Sequence, residues 1–300
     1  MKVAQPGDPV LLSFASCASC QLCTAGHPSH CVDFSGLNFG GQHNFSAAAS
    51  QGKEPDVFGH FFGQSSFASM TIVHERSVVN AKGIVKDDDE LKLFAPLGCG
   101  IQTGSGTIYN VAAATPDDAV VVIGLGGVGL SGIMAAKIRG CKTIIGIDKV
   151  DSRLELAKEL GATHGINTAG MGLDELVKAV RDLTDGLGAS VTMDTTGVVA
   201  LITKAVEFTR LKGKVIQVGT APIDAKLEIP IFEFMVMGKQ YIGAVEGDSF
   251  PPKYVPEMIQ WYREGKFPVD RLVKFFKAEE YEKALHEMHT GETVKPIIVW

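Results

Sequence analysis

The sequence predicts an α/β protein that combines a doubly wound parallel sheet with a β-rich unit. From about residue 98 to residue 244, short runs of β-branched residues alternate with helical patterns, which is typical of a parallel sheet with helices on both faces. Before that, short β-type runs are separated by turn residues. We expect three segments: 1–100, 101–244, and 245–300, the last returning to the first.

Length and charge restrict the class of protein further. The 300 residues carry a formal net charge of −6 and are 45% hydrophobic, which suits a globular chain with two sizeable cores. Lys and Arg are scattered, so nucleic-acid binding is not expected. Apolar runs such as Ala119–Gly132 are broken by glycines, so no membrane span is predicted. The first ten residues lack the apolar core of a secretory signal, which indicates a reducing, cytoplasmic location.

The first segment is predicted to contain strands but no clear helix. Its β-type runs are Val10–Phe14, Ala68–Val73 and Ser77–Asn80. The polar stretch Gln42–Asp56 is predicted to be an insertion loop.

The second segment supplies the alternation on which the fold class rests. The predicted strands are Ala119–Ile123, Thr143–Ile147, Ser190–Asp194, Lys214–Val218 and Gln240–Ala244. The predicted helices are Gly127–Arg139, Ser152–Leu160, Leu173–Thr184 and Val199–Thr209. The third segment adds helices Lys253–Glu264 and Ala278–Thr290 and a strand at Ile297–Trp300, and we expect it to pack on the first segment.

A glycine-rich turn follows the first strand of the second segment. Gly124, Gly126 and Gly129 have the G-x-G-x-x-G spacing, with a helix after them and Asp148 at the end of the next strand. Gly124 permits the tight turn, Gly126 lets a pyrophosphate approach, and Gly129 lets helix and strand pack closely. The expected dinucleotide-binding residues of the turn are Gly124, Gly126, Gly127, Val128 and Gly129. The alternative is that these glycines serve packing alone.

Asp148 indicates which dinucleotide would bind. Its carboxylate would accept hydrogen bonds from both hydroxyls of an adenosine ribose and would repel a 2′-phosphate, so NAD is favoured over NADP. Arg153, five residues further on, is expected either to close the same pocket or to lie on the helix surface.

Four cysteines lie within fifteen residues. Cys17, Cys20, Cys23 and Cys31 have C-x2-C-x2-C-x7-C spacing, and four thiolates complete the tetrahedral shell of a structural zinc ion. A disulfide framework is the alternative. The thiols complete the ligand count, so His27 and His30 are expected outside it.

These features together resemble the zinc-dependent medium-chain alcohol dehydrogenases, and the sequence motifs are most similar to those of the microbial aryl-alcohol and related dehydrogenases. The resemblance extends over essentially the whole chain. It includes the cysteine lobe, Phe61–Ala68, Pro96–Gly104, Gly124–Leu130 and Val294–Ile297. It implies a Rossmann NAD-binding domain, a truncated GroES-like catalytic domain, NAD-dependent interconversion of small alcohols and aldehydes or ketones, and a homo-oligomer with its subunit contact at Pro230–Ala244.

The resemblance also implies individual roles. Cys99 matches a ligand of the catalytic zinc, and Thr103 and Val128 match residues that flank the nicotinamide. Val218 and Thr220 would line the same pocket, and Lys295 matches a basic contact to the pyrophosphate.

The resemblance has one gap. The family draws a Cys and a His-Glu pair for its catalytic zinc from residues that precede a P-G-D segment, and here that segment is Pro6–Asp8. Cys99 alone cannot hold a catalytic zinc, which needs three protein ligands. We therefore expect an incomplete catalytic zinc site, or replacement ligands among His43, His60 and His74.

Three functions follow from the sequence. The first is the NAD-dependent alcohol dehydrogenase of the family, acting on an aromatic or medium-sized apolar alcohol by analogy alone. The second is a zinc-free NAD-dependent enzyme with Thr103, His60 or Glu246 as proton donor. The third is a dinucleotide-binding protein without catalysis.

Overall fold

The computed structural model describes residues 2–45, 57–59, 61–64 and 67–300. Its first segment consists of short elements joined by loops. They are β1 (Val10–Leu12), α1 (Gln21–Thr24), α2 (Phe34–Phe39), β2 (Gln42–Phe45), β3 (Val57–Gly59), β4 (Val78–Asn80) and α3 (Asp88–Phe94). Strands β1 and β4 pair antiparallel, as do β2 and β3.

Several expectations for this segment were wrong. The run Ala68–Val73 forms no strand: Met70 and Ile72 are largely exposed, so alternation there did not reflect a buried face. The first residues of the expected loop Gln42–Asp56 form β2, and the rest of that loop lies outside the described residues, as does His60. The three helices were missed, although Asp87 caps α3 by accepting a hydrogen bond from the Glu90 N–H.

The second segment forms the predicted parallel sheet, which confirms the fold class. It begins with α4 (Gly100–Gly106) and a π-helical turn at Thr107–Val111. Its strands are β5 (Ala119–Ile123), β6 (Thr143–Asp148), β7 (His164–Asn167), β8 (Ala189–Asp194), β9 (Thr209–Gln217) and β10 (Gln240–Gly243). Its further helices are α5 (Gly127–Ile138), α6 (Asp151–Leu160), α7 (Leu173–Asp182), α8 (Val199–Phe208) and α9 (Ile231–Met237).

The six strands are parallel and have the order β10-β9-β8-β5-β6-β7, so successive strands are added on opposite sides of the boundary between β5 and β8. In a doubly wound sheet, the crevice at the carboxyl ends of those two strands is where ligands bind.

Alternate residues of β5 reach two different cores. Val120 and Val122 belong to one core, and Val121 and Ile123 to the core on the opposite face of the sheet. That alternation explains the continuous apolar run of the strand.

The third segment contains α10 (Pro251–Arg263), β11 (Val273–Lys277), α11 (Tyr281–Thr290) and β12 (Lys295–Val299). The two strands pair in parallel. Helix α10 contacts α3 through an edge-on pair of Phe94 and Tyr262, with ring centroids 5.3 Å apart, and through an ion pair of Arg263 with Glu90 at 2.9 Å. None of the helices in the described parts of the chain is both long and apolar enough to cross a membrane.

Candidate dinucleotide and metal sites

The glycine-rich turn joins β5 to α5 at the crevice. Gly124 has φ +87°, a conformation that residues with a Cβ rarely adopt, and its N–H donates to the Ile147 carbonyl at 2.8 Å. A Cβ on Gly129 would lie 1.8 Å from the Gly124 carbonyl oxygen, whereas a Cβ on Gly126 would meet nothing within 4 Å. The two glycines therefore have different tasks: Gly129 permits packing, and Gly126 leaves open space at the amino end of α5.

Asp148 braces this turn from the end of β6. Its Oδ2 accepts a hydrogen bond from the Leu125 N–H at 2.7 Å, and its Oδ1 accepts from the N–H groups of Lys149 and Val150 at 2.7 and 3.0 Å. The residue is 8% exposed. The carboxylate is thus held in one orientation beside the turn, a structural role that the sequence analysis had not assigned.

Arg153 lies next to this carboxylate. Its guanidinium nitrogen is 3.8 Å from Asp148 Oδ2, and its side chain lines a cavity of about 330 Å³ between α6 and the β11–β12 pair. Gly291 faces the same guanidinium, since a Cβ there would lie 3.4 Å from it. Arg153 is therefore on the inner side of α6, next to the carboxylate.

Two further predicted residues meet at the start of α5. The Lys295 Cδ lies 4.0 Å from the position that a Cβ on Gly127 would take, so the stem of this lysine passes the first turn of the helix. Val128 Cγ2 is 3.5 Å from the corresponding position at Gly100. The first turn of α5 therefore contacts the beginning of α4, where Cys99 lies.

The carboxyl ends of β8 and β9 form the adjacent side of the crevice. Val218 follows β9, half-buried, and its N–H donates to the Asp194 carbonyl at 3.0 Å. Thr220 is exposed, and its carbonyl oxygen would lie 2.3 Å from a Cβ on Gly197. The segments that contain Gly197 and Gly219 can approach each other this closely because neither of these residues has a Cβ.

The four cysteines of the lobe come together. Their sulfur atoms all lie within 4.8 Å of one another, and the Cys17 and Cys23 sulfurs are 3.9 Å apart. A tetrahedral zinc with Zn–S bonds of about 2.3 Å separates two sulfurs by about 3.8 Å. All six cysteines of the chain are free thiols in the structure, which therefore does not support the disulfide alternative.

Backbone N–H groups prepare this lobe for negative charge. The Cys20 N–H points at Cys17 Sγ at 3.2 Å, and the Cys17 N–H points at Cys31 Sγ at 3.3 Å. Hydrogen bonds from Ser19, and then from the Cys20 N–H, lower the pKa of Cys17 to about 6. The N–H donors lower the pKa of Cys17 and Cys20, whereas limited solvation raises the pKa of Cys23 and Cys31. Four sulfur atoms at tetrahedral spacing fit a zinc ion, whose charge would favour the thiolate at all four.

Cys99 stands apart from the lobe, at the start of α4. The Thr103 hydroxyl donates to the Cys99 carbonyl at 2.9 Å, and the Cys99 sulfur lies 3.7 Å from Glu246 Oε1. Glu246 is 5% exposed, and Gln102 Nε2 donates to its Oε2 at 2.7 Å. Burial raises the pKa of Glu246 to about 7, although the hydrogen bond from Gln102 opposes the shift.

The replacement ligands considered for Cys99 do not join it. His74 caps a short helical turn, where its Nδ1 accepts a hydrogen bond from the Arg76 N–H at 3.2 Å. The side chain of His43 and the whole of His60 lie outside the described residues. Among the described residues, the cysteine lobe is the only group of three or more potential ligands close enough to share one ion.

Two members of this region were not predicted from the sequence. Gln102 is fully buried, and its Nε2 reaches the Ser13 hydroxyl at 3.0 Å as well as Glu246. Asp248 joins the lobe to the turn around Glu246, because it accepts hydrogen bonds from His27 and Ser29. No local pattern could have indicated these contacts, because the partners are 89 and about 220 positions apart in the sequence.

A doubly wound sheet with a dinucleotide-type glycine turn, together with a lobe of four thiols, indicates a zinc-containing, dinucleotide-binding protein. Comparisons with known proteins agree. A family model described as zinc-binding dehydrogenase matches residues 127–264. A geraniol dehydrogenase of Castellaniella defragrans is 37% identical over 100% of this chain and 79% of its own length.

Two solved structures are also similar. The benzyl alcohol dehydrogenase of Acinetobacter calcoaceticus has a TM-score of 0.88 at 39% identity, and the match covers 98% of this chain and 78% of that one. An alcohol dehydrogenase zinc-binding domain protein of Burkholderia ambifaria has a TM-score of 0.90 at 37% identity, with coverage of 99% and 79%.

The chain belongs to the zinc-dependent medium-chain alcohol dehydrogenase family. The family predicted from the sequence is therefore confirmed, and with it the NAD-dependent interconversion of alcohols and aldehydes and the two cofactors, zinc and NAD.

Proposed function

We propose that this protein oxidises primary alcohols whose carbinol carbon is bonded to an sp2 carbon, and reduces the matching aldehydes. The observation that supports a dehydrogenase reaction at this place is the contact between the first turn of α5 and the start of α4, at Val128 and Gly100. It puts the amino end of a nucleotide-binding helix against the segment that bears Cys99 and Thr103. Benzyl alcohol and geraniol, after which two relatives are named, both have such a carbinol carbon.

The proposed cofactor site uses the open end of α5. The pyrophosphate would bind at the N–H groups after Gly126, where the helix dipole and Lys295 supply positive charge. Asp148 would accept a ribose hydroxyl at Oδ2, because its three backbone donors leave one lone pair free on that oxygen, and Arg153 would close that side.

The nicotinamide half would lie further along the crevice. Thr103 and Val128 would contact one face of the ring, and Val218 and Thr220 would line the adjacent wall. These residues exclude water from the ring and fix the face that receives hydride. We also propose the division into a catalytic domain 1–100, a Rossmann domain 101–244 and a C-terminal return 245–300.

Cys99 is the family-matched ligand of a catalytic zinc among the described residues, and such a site needs three protein ligands. A zinc ion completed by further ligands would supply a Lewis acid for the alcohol oxygen. Cys99 would be one ligand as a thiolate. Its pKa is raised to about 12 in the structure, first because surrounding atoms limit its solvation and then because the Glu246 charge lies close. A bound cation would reverse that shift.

The experiment is a substrate series with the purified 300-residue protein. NADH formation would be followed with benzyl alcohol, geraniol, cyclohexylmethanol and ethanol, with NAD and with NADP. We expect the first two to give kcat/KM values about tenfold above cyclohexylmethanol, whose carbinol carbon is bonded to an sp3 carbon. Equal rates for all four would refute the substrate class. Turnover that persists after removal of zinc would favour the zinc-free enzyme, and NAD binding without turnover would favour the non-catalytic protein.

We further propose a cytoplasmic homo-oligomer whose contact surface is α9 with strand β10. Ile231 and Phe232 are 84% and 72% exposed, and β10 is an edge of the six-stranded sheet. Exposed apolar side chains beside an open strand edge favour association with a second copy. Light scattering of Phe232→Asp against Glu233→Gln tests this, because only the first variant should dissociate.

A further inference from the structure

A buried carboxylate without an assigned role lies at the carboxyl end of β8, beside the crevice. Asp194 is the last residue of that strand and is fully buried. In the described part of the chain, the donors that reach its carboxylate are neutral groups, among them the Thr196 hydroxyl at 2.6 Å and the Gly197 N–H at 2.9 Å. A buried carboxylate without a cation is costly, and such departures are found mainly at functional sites.

The main chain of Asp194 holds the segment that follows β9. Its carbonyl oxygen accepts hydrogen bonds from the N–H groups of Val218 and Gly219, both at 3.0 Å. Val218 and Thr220 are the residues that the proposed function puts in the wall beside the nicotinamide. Asp194 therefore binds the Thr196–Gly197 loop with its side chain and this wall with its backbone.

Gln217, the last residue of β9, connects the same groups through its side chain. Its Nε2 donates to Asp194 Oδ2 at 3.0 Å and to the Gly219 carbonyl at 2.7 Å. A carbonyl oxygen can only accept, so the atom that faces it must be the amide nitrogen. The other end of the amide, Oε1, accepts from the Tyr241 hydroxyl at 3.2 Å. Three hydrogen bonds therefore hold the Gln217 amide in one orientation.

The two segments that these hydrogen bonds join are already in close contact. A Cβ on Gly219 would lie 2.3 Å from the Gly197 nitrogen, and a Cβ on Gly197 would lie 2.3 Å from the Thr220 carbonyl oxygen. Neither segment can move towards the other. Loss of the hydrogen bonds would therefore let the wall move only away from β8, which would widen this side of the crevice.

The loop after β8 is also attached to the glycine-rich turn. The Thr195 hydroxyl lies 2.8 Å from the Ile123 carbonyl and 3.0 Å from the Gly124 carbonyl. A Cβ on Gly124 would lie 2.5 Å from the same hydroxyl oxygen. The turn proposed to bind the pyrophosphate and the wall proposed for the nicotinamide thus have one common support. A shift of the wall relative to Asp194 would change the distance between the two halves of the dinucleotide site.

We propose that Asp194 and Gln217 form a clamp that positions the segment Val218–Thr220 against the nicotinamide half of the dinucleotide. Both are positioning residues, because they act through the backbone of that segment. The proposal deepens the proposed function, on which it rests for the identity of the ligand. It divides the work of the crevice: the glycine turn binds the pyrophosphate, and the clamp sets the place of the nicotinamide relative to it.

The test compares two ligands that differ in the nicotinamide. NADH contains it, whereas ADP-ribose has the same adenosine and pyrophosphate without it. Calorimetric titration of the purified 300-residue protein gives the Kd of each ligand. Gln217→Met keeps the length of the side chain and removes the amide donor. We expect it to weaken NADH binding about tenfold, the scale of one hydrogen bond to a charged group, and to change ADP-ribose binding by less than about twofold.

Two further variants separate the clamp from a general loss of stability. Asp194→Asn should also weaken NADH more than ADP-ribose, and it should add little to Gln217→Met in the double variant, because the two residues act as one unit. Thr192→Val is the matched control. It removes a buried hydroxyl that lies 2.7 Å from the Thr209 hydroxyl, between the same two strands. It should destabilise the protein and leave the ratio of NADH to ADP-ribose affinity unchanged.

Binding of ADP-ribose verifies that each variant is folded, and the same data separate the two proposals. A wild-type ratio of affinities in both Gln217→Met and Asp194→Asn would overturn the clamp and leave the proposed function standing. An equal change of the ratio in Thr192→Val would also overturn it, because lost stability would then explain the effect. The expected change of the ratio in a protein that oxidises no alcohol would support the clamp and remove the proposed activity. A wild type that binds neither ligand would refute both.

Discussion

The Asp248 carboxylate accepts a hydrogen bond from the His27 ring nitrogen Nδ1 at 2.8 Å. Because a carboxylate has no proton to give, Nδ1 must carry one. A second bond, from the Ser29 hydroxyl at 3.1 Å, ends on the same side chain. Both donors lie in the loop between Cys23 and Cys31, so the cysteine lobe holds the turn that carries Glu246.

This relationship predicts the effect of Asp248→Asn. Asp248 has φ +46°, which Asn tolerates, so the substitution removes the charge-assisted hydrogen bonds without adding backbone strain. Because the His27 side chain is 50% exposed, we expect a loss of unfolding free energy of only about 1 kcal/mol. We also expect weaker NAD binding, with the lobe still filled with zinc. Thermal unfolding and calorimetry measure both quantities.

Two further variants separate the loss of the Asp248 hydrogen bonds from the loss of a negative charge and from backbone strain. Asp33→Asn changes an exposed carboxylate of the same lobe that makes no capping hydrogen bond, and it should behave as wild type. Asp248→Ala should lose more stability than Asp248→Asn, because it adds the cost of a left-handed alanine. If Asp248→Asn and Asp33→Asn are indistinguishable, the lobe does not hold the turn.

Gly126 and Gly129 of the nucleotide turn should respond differently to alanine. Gly129→Ala would put a methyl group 1.8 Å from the Gly124 carbonyl oxygen, so it should destabilise the protein by about 1–3 kcal/mol. Gly126→Ala has open space, and its backbone, with φ −76° and ψ −170°, suits alanine. It should therefore fold normally and bind NAD more weakly, because the methyl group occupies the path of the pyrophosphate.

Denaturant unfolding and NAD titration of the two variants provide the measurement. Each glycine is the control for the other, since both lie in one turn and gain one methyl group. Normal NAD affinity in Gly126→Ala would show that the dinucleotide does not bind across this turn.

The sheet was predictable from the sequence because a strand that is buried on both faces needs a continuous run of apolar residues, and such a run is visible in the sequence. Strand β5 was located at its exact bounds, and its neighbours within a few residues. Strand β7, with the sequence His-Gly-Ile-Asn, has no such run and was missed. Its position is set by pairing with β6, a contact that local patterns do not reveal.

Helix α4 could not have been predicted from propensity. Three of its seven residues are glycines, which disfavour helices. The structure explains them: a Cβ on Gly104 would lie 1.8 Å from the Val128 carbonyl oxygen, so α4 and α5 can approach this closely only without side chains. Tertiary packing makes the helix, and the same packing brings Cys99 to the nucleotide turn.

The candidate site was predictable where its residues share a motif. The glycine turn and the four cysteines are local patterns, and the structure brings each set together. The pair of Cys99 and Glu246 depends on a turn held by the lobe and by α4, so only the folded chain reveals it. The roles of the individual site residues stay predictions until the variants are measured.

Asp148→Ser should weaken NAD binding and also destabilise the fold. The variant removes the acceptor of the ribose hydroxyls and leaves the N–H groups of Leu125 and Val150 without their carboxylate. Loss of the hydrogen bonding to the ribose should weaken binding by about 2 kcal/mol, roughly 30-fold in Kd, and the N–H groups left without an acceptor should lower the unfolding free energy by about 1–3 kcal/mol. The ratio of NADP to NAD affinity should rise, because the charge that repels a 2′-phosphate is gone.

Calorimetry with both dinucleotides decides this prediction. Glu155→Gln, an exposed change on the next helix, is the control for the loss of one negative charge. An unchanged preference for NAD in Asp148→Ser would assign cofactor selection to another residue.

Removal of the lobe zinc should affect the whole molecule. Cys20→Ser replaces one of four sulfurs that lie within 4.8 Å of one another, and three thiolates bind zinc more weakly than four. Because structural zinc contributes folding free energy directly, we expect a loss of about 4 kcal/mol, measured as a fall in Tm that a chelator reproduces in the wild type.

Cys141→Ser is the matched control for Cys20→Ser. That thiol is buried outside the lobe and donates to the Thr115 carbonyl at 3.3 Å, a hydrogen bond that serine can keep. It should retain both its zinc and most of its stability. Since Asp248 ties the lobe to the turn around Glu246, Cys20→Ser should also weaken NAD binding, whereas Cys141→Ser should not. Normal NAD affinity in Cys20→Ser would mean that the lobe stabilises its own loop and nothing beyond it.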